Sequence, residues 1–335
     1  MIAKVSGPKK VALYEESPPP EELKHNMVRA TVLACGICGS DVQLYTGINP
    51  WKKRTTYPIR LGHEVVARVI EAPRKTNFRT GDAVVSVPVF SAGCGVCSTC
   101  RQGNSHRCNN SVRWKMFEWS WGLANEIWIP SHSVRAVGDD ISLDYWALVD
   151  LFAVALNAMK IGNIWLSRTV MIIGAGALGL ALCQVAKSIA DVHVRIVGHE
   201  YGVTLAKHRG WADEIVESAS FFKGRCTSDL VVEASGRRQQ DAIRHVADGG
   251  TLCLVGSFSG TVTWTYAELA RSISVVTPSA YPVYEFEEAL RLIQMGALHP
   301  DPLITHKLPL AEIQKAFEIA ATKPPGALRV IVKPT

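Results

Sequence analysis

The chain has 335 residues, 47% hydrophobic and 20% charged; this is the make-up of a folded protein of two domains at roughly 100–200 residues each, and it excludes a disordered polymer. A chain this long buries enough surface to fold without disulfides or metals as general braces, so a metal bound to it has a local task. The net charge of +6 comes from scattered residues, with Lys52-Lys53-Arg54 and Arg237-Arg238 as short clusters, which gives a mild attraction for anionic ligands and excludes a nucleic-acid partner.

The opening residues carry Lys4, Lys9 and Lys10 and no apolar core of a secretion signal, which points to a cytoplasmic protein. Its nine cysteines then read as thiols or metal ligands rather than a disulfide framework. Through the first 140 residues, short runs rich in Val, Ile and Thr at 27–33, 64–71 and 82–89 lie between Gly, Pro and Asp. This pattern predicts a mostly β region with irregular connections. Cys38 falls within Cys35-Gly36-Ile37-Cys38-Gly39-Ser40-Asp41, and His63 within Gly62-His63-Glu64. With Asp150 they make a mixed sulfur, nitrogen and oxygen set from distant parts of the chain, suited to an open catalytic zinc that keeps one position for water or substrate. Each also has an ordinary alternative, His63 as a hydrogen-bonded strand end and Cys38 as a small buried hydrophobe. Cys35, Cys183, Cys226 and Cys253 are assigned to that core role.

Next along the chain, Cys94, Cys97, Cys100 and Cys108 form C-x2-C-x2-C-x7-C in a loop that contains Gly93, Gly95 and Gly103. Short turns aim four sulfurs at one tetrahedral ion, and glycine permits the backbone angles required. Four protein ligands leave no place for substrate, so this zinc is structural. Two disulfides or an iron–sulfur cluster are the alternatives, ranked below zinc.

From residue 144 the pattern changes. An Ala- and Leu-rich helix is predicted over 144–158, a strand over 169–173, a helix over 180–190 and a strand over 193–197. The apolar run 170–183 holds three glycines and falls short of the ~20 residues that span a bilayer, so no membrane partner is expected. Gly174-Ala175-Gly176-Ala177-Leu178-Gly179 follows the strand and opens the helix, the context in which G-x-G-x-x-G binds a dinucleotide pyrophosphate. The acidic residue that would hold an adenosine ribose 2′-hydroxyl belongs about 20 residues on. Gly198-His199-Glu200 stands there instead. Gly198 offers a 2′-phosphate neither repulsion nor bulk and His199 offers it a donor, whereas Glu200 would favour the diol; the balance leans to NADP over NAD. Strand, helix and strand continue at 230–233, 239–247 and 251–255, the alternation of a parallel α/β sheet. Arg237, past the end of one of these strands, is a candidate for the adenosine half or else a solvated charge, and Gly256 follows the next strand as a further cofactor-binding candidate. Helices over 285–295 and 310–321 and a strand over 329–332 returning to the first domain complete the chain.

Taken in this order, the segments Gly36 to Asp41 and Gly62-His63-Glu64, the four-cysteine loop, the Gly174 to Gly179 turn and the tail Leu303-Ile304-Thr305-His306-Lys307 resemble the zinc-dependent medium-chain dehydrogenase/reductase family of the alcohol dehydrogenase superfamily, nearest its sorbitol and threonine dehydrogenase branch. The resemblance covers nearly the whole chain. It implies an α/β protein: a GroES-like, mostly β catalytic domain (1–146 and 287–335, with the structural zinc loop at 93–108) and a Rossmann doubly wound NAD(P)-binding domain (147–286), with the active site in the cleft between them. A homodimer or homotetramer is implied, with two Zn2+ per chain, one catalytic and one structural. Cys38 and His63 are then ligands of the catalytic zinc. Asp150 stands where the polyol branch carries a glutamate, before a proline that is Leu151 here, and Glu64 is adjacent to the metal, so the two are alternative third ligands. Ser40 matches the hydroxyl that passes the substrate proton onward, while Gln43 replaces a frequent histidine of that relay and requires a different exit. The Trp-rich stretch 114–128 is unlike the family's usual run.

The implied activity is hydride transfer between a secondary alcohol, of polyol, amino sugar or cyclitol type, or its ketone, and NAD(P). A simple alcohol or aldehyde reductase and a dinucleotide-sensing zinc protein without catalysis are the alternatives.

Overall fold

The computed structural model describes residues 1–48, 56–110, 112–216, 221, 226–258 and 260–334; the Lys52-Lys53-Arg54 cluster lies outside them. The chain folds into two units, one of Met1–Asp150, Ala280–Gln294 and Pro300–Thr335 and a second of Leu151–Ser279 and Met295–His299. Tyr281 and Asp150, which are bonded to each other, both belong to the first unit.

The first unit is organised by the strand Met27–Gly36. Val28, Ala30, Val32 and Ala34 are buried while Arg29, Thr31 and Leu33 are not, the period-two pattern of a strand with one core face. One edge pairs antiparallel with Glu64–Glu71, in a register that sets Gly36 opposite Glu64. The other edge is shared: Glu126–Pro130 pairs with residues 27–31, and Arg329–Lys333 pairs at Cys35 and Gly36. The C-terminal strand thus returns to the first unit as expected. Ile304–Pro309, Ala83–Ser86 and Val134–Ala136 complete a seven-stranded sheet, and Lys10–Tyr14, Ile2–Gly7 and Ile59–Arg60 form a second, three-stranded one. Val5, Val28, Val65, Leu123, Phe317 and Val332 belong to one continuous core.

In the second unit every strand is parallel. Numbered along this unit as Thr169–Ile173, His193–Val197, Glu214–Ile215, Ser228–Glu233, Val246–Leu254 and Ser274–Val276, the strands lie in the order 3-2-1-4-5-6, the doubly wound order in which the direction of winding reverses between strands 1 and 4. Thr169–Ile173 is strand 1. Its run of Val, Met and Ile is buried, as a strand covered on both faces requires. Helix Ala177–Ile189 follows directly and buries Leu180 to Ala186. Strand 4 is Ser228–Glu233.

Two predicted elements are altered by tertiary contacts. The helix over 144–158 is two, Leu143–Trp146 and Val149–Ile161, with Trp146 held to the first unit by its indole N–H on the Gly138 carbonyl at 3.0 Å. The helix over 239–247 is α only at Gln239–Ala242, and the next strand starts early, at Val246. Its pairing with Ser228–Glu233 slips between Val246 and Thr251, a bulge that Gly249 permits with φ +77°. Among the described residues no helix is long and apolar enough to cross a membrane.

Candidate active site

Cys38, the adjacent His63 and Glu64, and Asp150, from three separate stretches of the first unit, offer ligand atoms that all lie within 4.8 Å of one another. Sheet register does most of the gathering. Glu64 stands opposite Gly36, and a Cβ on Gly36 would sit 2.1 Å from Glu64 Oε2, so only glycine leaves space for the carboxylate. Cys38 follows as the N-cap of helix Gly39–Tyr45. Asp41, in that first turn and buried, accepts the Cys38 N–H at 3.0 Å and the Gly62 N–H at 3.4 Å, while its Oδ1 lies 3.6 Å from His63 Nδ1. An imidazole with Nδ1 turned to a carboxylate presents the Nε2 lone pair to a metal. Asp150 Oδ2 lies 3.8 Å from that Nε2, and the Tyr281 hydroxyl donates to the other Asp150 oxygen.

The charges here suit a cation. Burial opposes protonation of His63, but the Asp41 carboxylate and the Cys38 sulfur outweigh it and hold the imidazole well above its ordinary range. Burial pushes the Glu64 carboxyl up to about 7 against the pull of Arg329. It also raises Asp150 against the pull of His63 and the Tyr281 bond. Arg329 Nη1 lies 3.1 Å from Glu64 Oε1 but donates to the Ile37 carbonyl at 2.8 Å. The Glu64 carboxylate is therefore ion-paired, yet both its oxygens are buried without a hydrogen bond from any of the described residues. Buried carboxylate oxygens that accept no hydrogen bond, beside a thiol and an oriented imidazole, fit zinc, whose tetrahedral ligands stand about 3.2–3.8 Å apart. Ser40 is half-buried two residues past Cys38. Beside His63 a small pocket is lined by Phe117, Ser120 and Trp121 with Pro88 and Val89, so the Trp-rich stretch supplies one wall.

The four-cysteine loop forms a separate cluster. Sγ atoms of Cys97 and Cys100 are 3.4 Å apart, those of Cys94 and Cys100 and of Cys97 and Cys108 are 3.9 Å apart, and all four lie within 4.8 Å. Sulfurs around a zinc at ~2.3 Å stand about 3.8 Å apart, whereas a disulfide needs ~2.0 Å. The donor set and spacing fit zinc. Gly93 turns at φ +65°, and a Cβ there would meet Cys100 Sγ at 2.7 Å. Burial works against the Cys94 thiolate, but the N–H groups of Val96 and Cys97 outweigh it and bring the thiol down to about 6. Burial and the Cys97 sulfur push Cys100 up to about 12.

In the second unit the three turn glycines have three distinct surroundings. Gly174 takes φ +113° beside the Ser235 backbone. A Cβ on Gly179 would lie 1.7 Å from the Gly174 oxygen, and one on Gly176 would meet nothing within 4 Å. These are the tight turn, the close helix–strand approach and the open ground that a pyrophosphate needs. Strand ends collect around this turn: a Cβ on Gly256 would meet Gly236 N at 2.3 Å, and Arg237 is exposed in the same stretch. A Cβ on Gly198 would meet Ala175 N and Cβ at 2.5 Å, so the close approach of the turn requires glycine there. His199 caps helix Glu200–His208, its Nδ1 accepting the Gly202 N–H at 3.3 Å. The neutral ring then carries its proton on Nε2. Glu200 is exposed at the start of that helix.

Four positioning residues escaped the sequence reading. Asp41 sits three residues after an N-cap, a spacing that was available as a signal. Tyr281 and Arg329 reach the site only through the fold. Glu233, fully buried, accepts the Ser235 and Gly236 N–H groups at 3.0 and 3.1 Å and so shapes the turn against Gly174.

Residues 24–139 match the alcohol dehydrogenase GroES-like domain. The chain is 28% identical to an uncharacterized zinc-type alcohol dehydrogenase-like protein of Haemophilus influenzae, over 95% of this chain and 94% of that protein. It is 27% identical to the D-arabitol-phosphate dehydrogenase of Enterococcus avium, over 89% and 87%. A crystal structure of a putative zinc-binding dehydrogenase from Sinorhizobium meliloti 1021 bound to NADP superposes with a TM-score of 0.84 at 22% identity, over 99% of this chain and 98% of that one.

Proposed function

We propose that the chain is a zinc-dependent, NAD(P)-linked dehydrogenase of the medium-chain dehydrogenase/reductase family, in the branch of the sorbitol and threonine dehydrogenases, and that it oxidises a secondary alcohol of polyol, amino sugar or cyclitol type, or reduces the corresponding ketone. One observation carries the reading: a thiol, an oriented imidazole and two carboxylates converge in a buried site where the Glu64 oxygens accept no hydrogen bond from any of the described residues. The D-arabitol-phosphate dehydrogenase among the relatives favours the polyol class.

Cys38, His63 and Asp150 would hold the catalytic zinc with Glu64 beside them, and Cys94, Cys97, Cys100 and Cys108 would hold a second, structural zinc. When bound, the first zinc would supply Lewis acidity toward the alcohol oxygen and the dinucleotide a hydride acceptor. The protein's own part is positioning and proton transfer. Asp41 keeps the His63 lone pair directed inward, Tyr281 fixes one oxygen of Asp150, and Ser40 accepts the hydroxyl proton while passing its own onward. The amide of Gln43 does not titrate, so it orients the relay rather than carrying the proton.

The Gly174 to Gly179 turn binds the dinucleotide, with Gly198, His199, Glu200, Arg237 and Gly256 around the adenosine half. NADP is the preferred cofactor, supported by the proton on His199 Nε2 and by the NADP in the Sinorhizobium structure. Nine free thiols suit a reducing cytoplasm.

The test joins zinc analysis with a panel of polyols, amino sugars and simple alcohols, each assayed with NADP and NAD. Two zinc ions per chain and polyol oxidation with NADP support the proposal. Turnover of simple alcohols alone moves the substrate class, and one zinc without turnover leaves a sensor.

A further inference from the structure

Arg113 has two guanidinium nitrogens without a hydrogen-bond partner among the described residues. It stands in the short helix Val112–Met116, half-buried, with Nε and Nη1 shut off from solvent and bonded to nothing among the described residues. Its guanidinium carbon lies 5.2 Å from the centre of the Trp114 ring. The nearby Glu118 is engaged by Arg60 at 3.3 Å. A guanidinium has five donors and no acceptor, so desolvating two of them without a partner is costly, and such a group calls for an ion, a ligand or a water to complete it.

Its place in the fold indicates which ligand. The Phe117 N–H bonds the Arg113 carbonyl at 3.1 Å, so the two residues lie one turn apart on the same face, about 6 Å along the axis. Phe117 in turn walls the pocket beside His63. We propose that Arg113 anchors an anionic group, phosphate or carboxylate, at the end of the substrate remote from the reacting carbon. The planar fork of arginine suits paired oxygens of either anion, and the chain's net charge of +6 favours such a ligand. This inference rests on the reading of the chain as a polyol dehydrogenase and narrows its substrate to a charged polyol.

The probes are D-sorbitol, D-sorbitol 6-phosphate and D-gluconate, assayed with the zinc-loaded enzyme and NADP. A charged compound should show a lower KM than D-sorbitol. Arg113→Met should raise the charged-to-neutral KM ratio about 10–100-fold, the range for a lost hydrogen bond to a charged group, and Arg113→Lys should recover part of it as a point charge. Whether the phosphate or the carboxylate compound carries the effect identifies the anion. Equal KM values for neutral and charged compounds in the native enzyme, or an unchanged ratio in Arg113→Met, overturn the proposal. If none of the three is turned over, calorimetric titration of D-sorbitol 6-phosphate into the NADP-saturated protein decides. Binding that Arg113→Met abolishes keeps the anchor and removes polyol oxidation, while no binding, or binding indifferent to the substitution, removes the anchor.

Discussion

Gly176 and Gly179 divide the work of the dinucleotide turn, and alanine at each position separates cofactor binding from folding. A methyl on Gly179 would lie 1.7 Å from the Gly174 oxygen, about 1.6 Å inside a close C···O contact of ~3.3 Å. Both elements there are backbone, so helix Ala177–Ile189 must move off its strand. Overpacking costs about 1–3 kcal/mol, and with no flexible side chain to yield, about 3 kcal/mol is expected. At roughly 2–4 °C per kcal/mol, this lowers Tm by about 6–12 °C. Gly176 has nothing within 4 Å and an N-cap φ of −80° that alanine adopts freely. Gly176→Ala therefore costs about 1 kcal/mol of capping at most, or roughly 2–4 °C. Its methyl instead obstructs the helix N-terminus where a pyrophosphate approaches. Loss of one charge-assisted hydrogen bond, ~1.5–3 kcal/mol, raises the cofactor KM about 10–100-fold. Thermal melting and steady-state kinetics with NADP measure the two effects on the same protein samples. An unchanged cofactor KM in Gly176→Ala, or a native Tm in Gly179→Ala, refutes the division.

The remaining predictions concern the metals and the proton. Cys38→Ser should leave one zinc per chain and reduce turnover by more than about 10²-fold, since Lewis-acid stabilisation is worth several kcal/mol; two tightly held zinc ions with full activity would contradict it. Cys100→Ser should release the other zinc and lower Tm, because a structural ion contributes folding free energy, and retention of both zinc and Tm would count against that role. Tyr281→Phe frees one oxygen of Asp150 and should weaken zinc at the mixed site about 10–100-fold while sparing the four-cysteine site; chelator competition reads the difference, and an Asp150→Ala background should abolish it. Ser40→Ala should lower kcat about 10²–10⁴-fold, the range for a positioned acid–base group, with little change in cofactor KM, and full activity would remove it from the relay.

The two clusters differ in how far the sequence alone could describe them. Cys94, Cys97, Cys100 and Cys108 are separated by short turns, and Gly174 to Gly179 is one strand-to-helix turn, so local spacing already defines both geometries. The alternation of strands and helices after residue 144, and the presence of a strand near the C-terminus, likewise follow from patterns within short windows. Cys38, His63 and Asp150 could be named as a set only because each lies in a segment resembling a family, since nothing in their spacing brings them together. Tertiary structure decided the rest. The register that sets Gly36 opposite Glu64 and the strand that carries Arg329 back beside Cys38 are long-range pairings. So is the contact of Tyr281 with Asp150 across 130 intervening residues. Gly198 shows the limit most directly: its sequence position says nothing of Ala175, which in the fold leaves no space for a side chain there. Composition and period report which residues are buried and in what element, because burial of one face is a local, repeating constraint. The charge on a buried carboxylate, or the direction of an imidazole lone pair, depends on partners brought from elsewhere in the chain and is defined only once the sheets have closed.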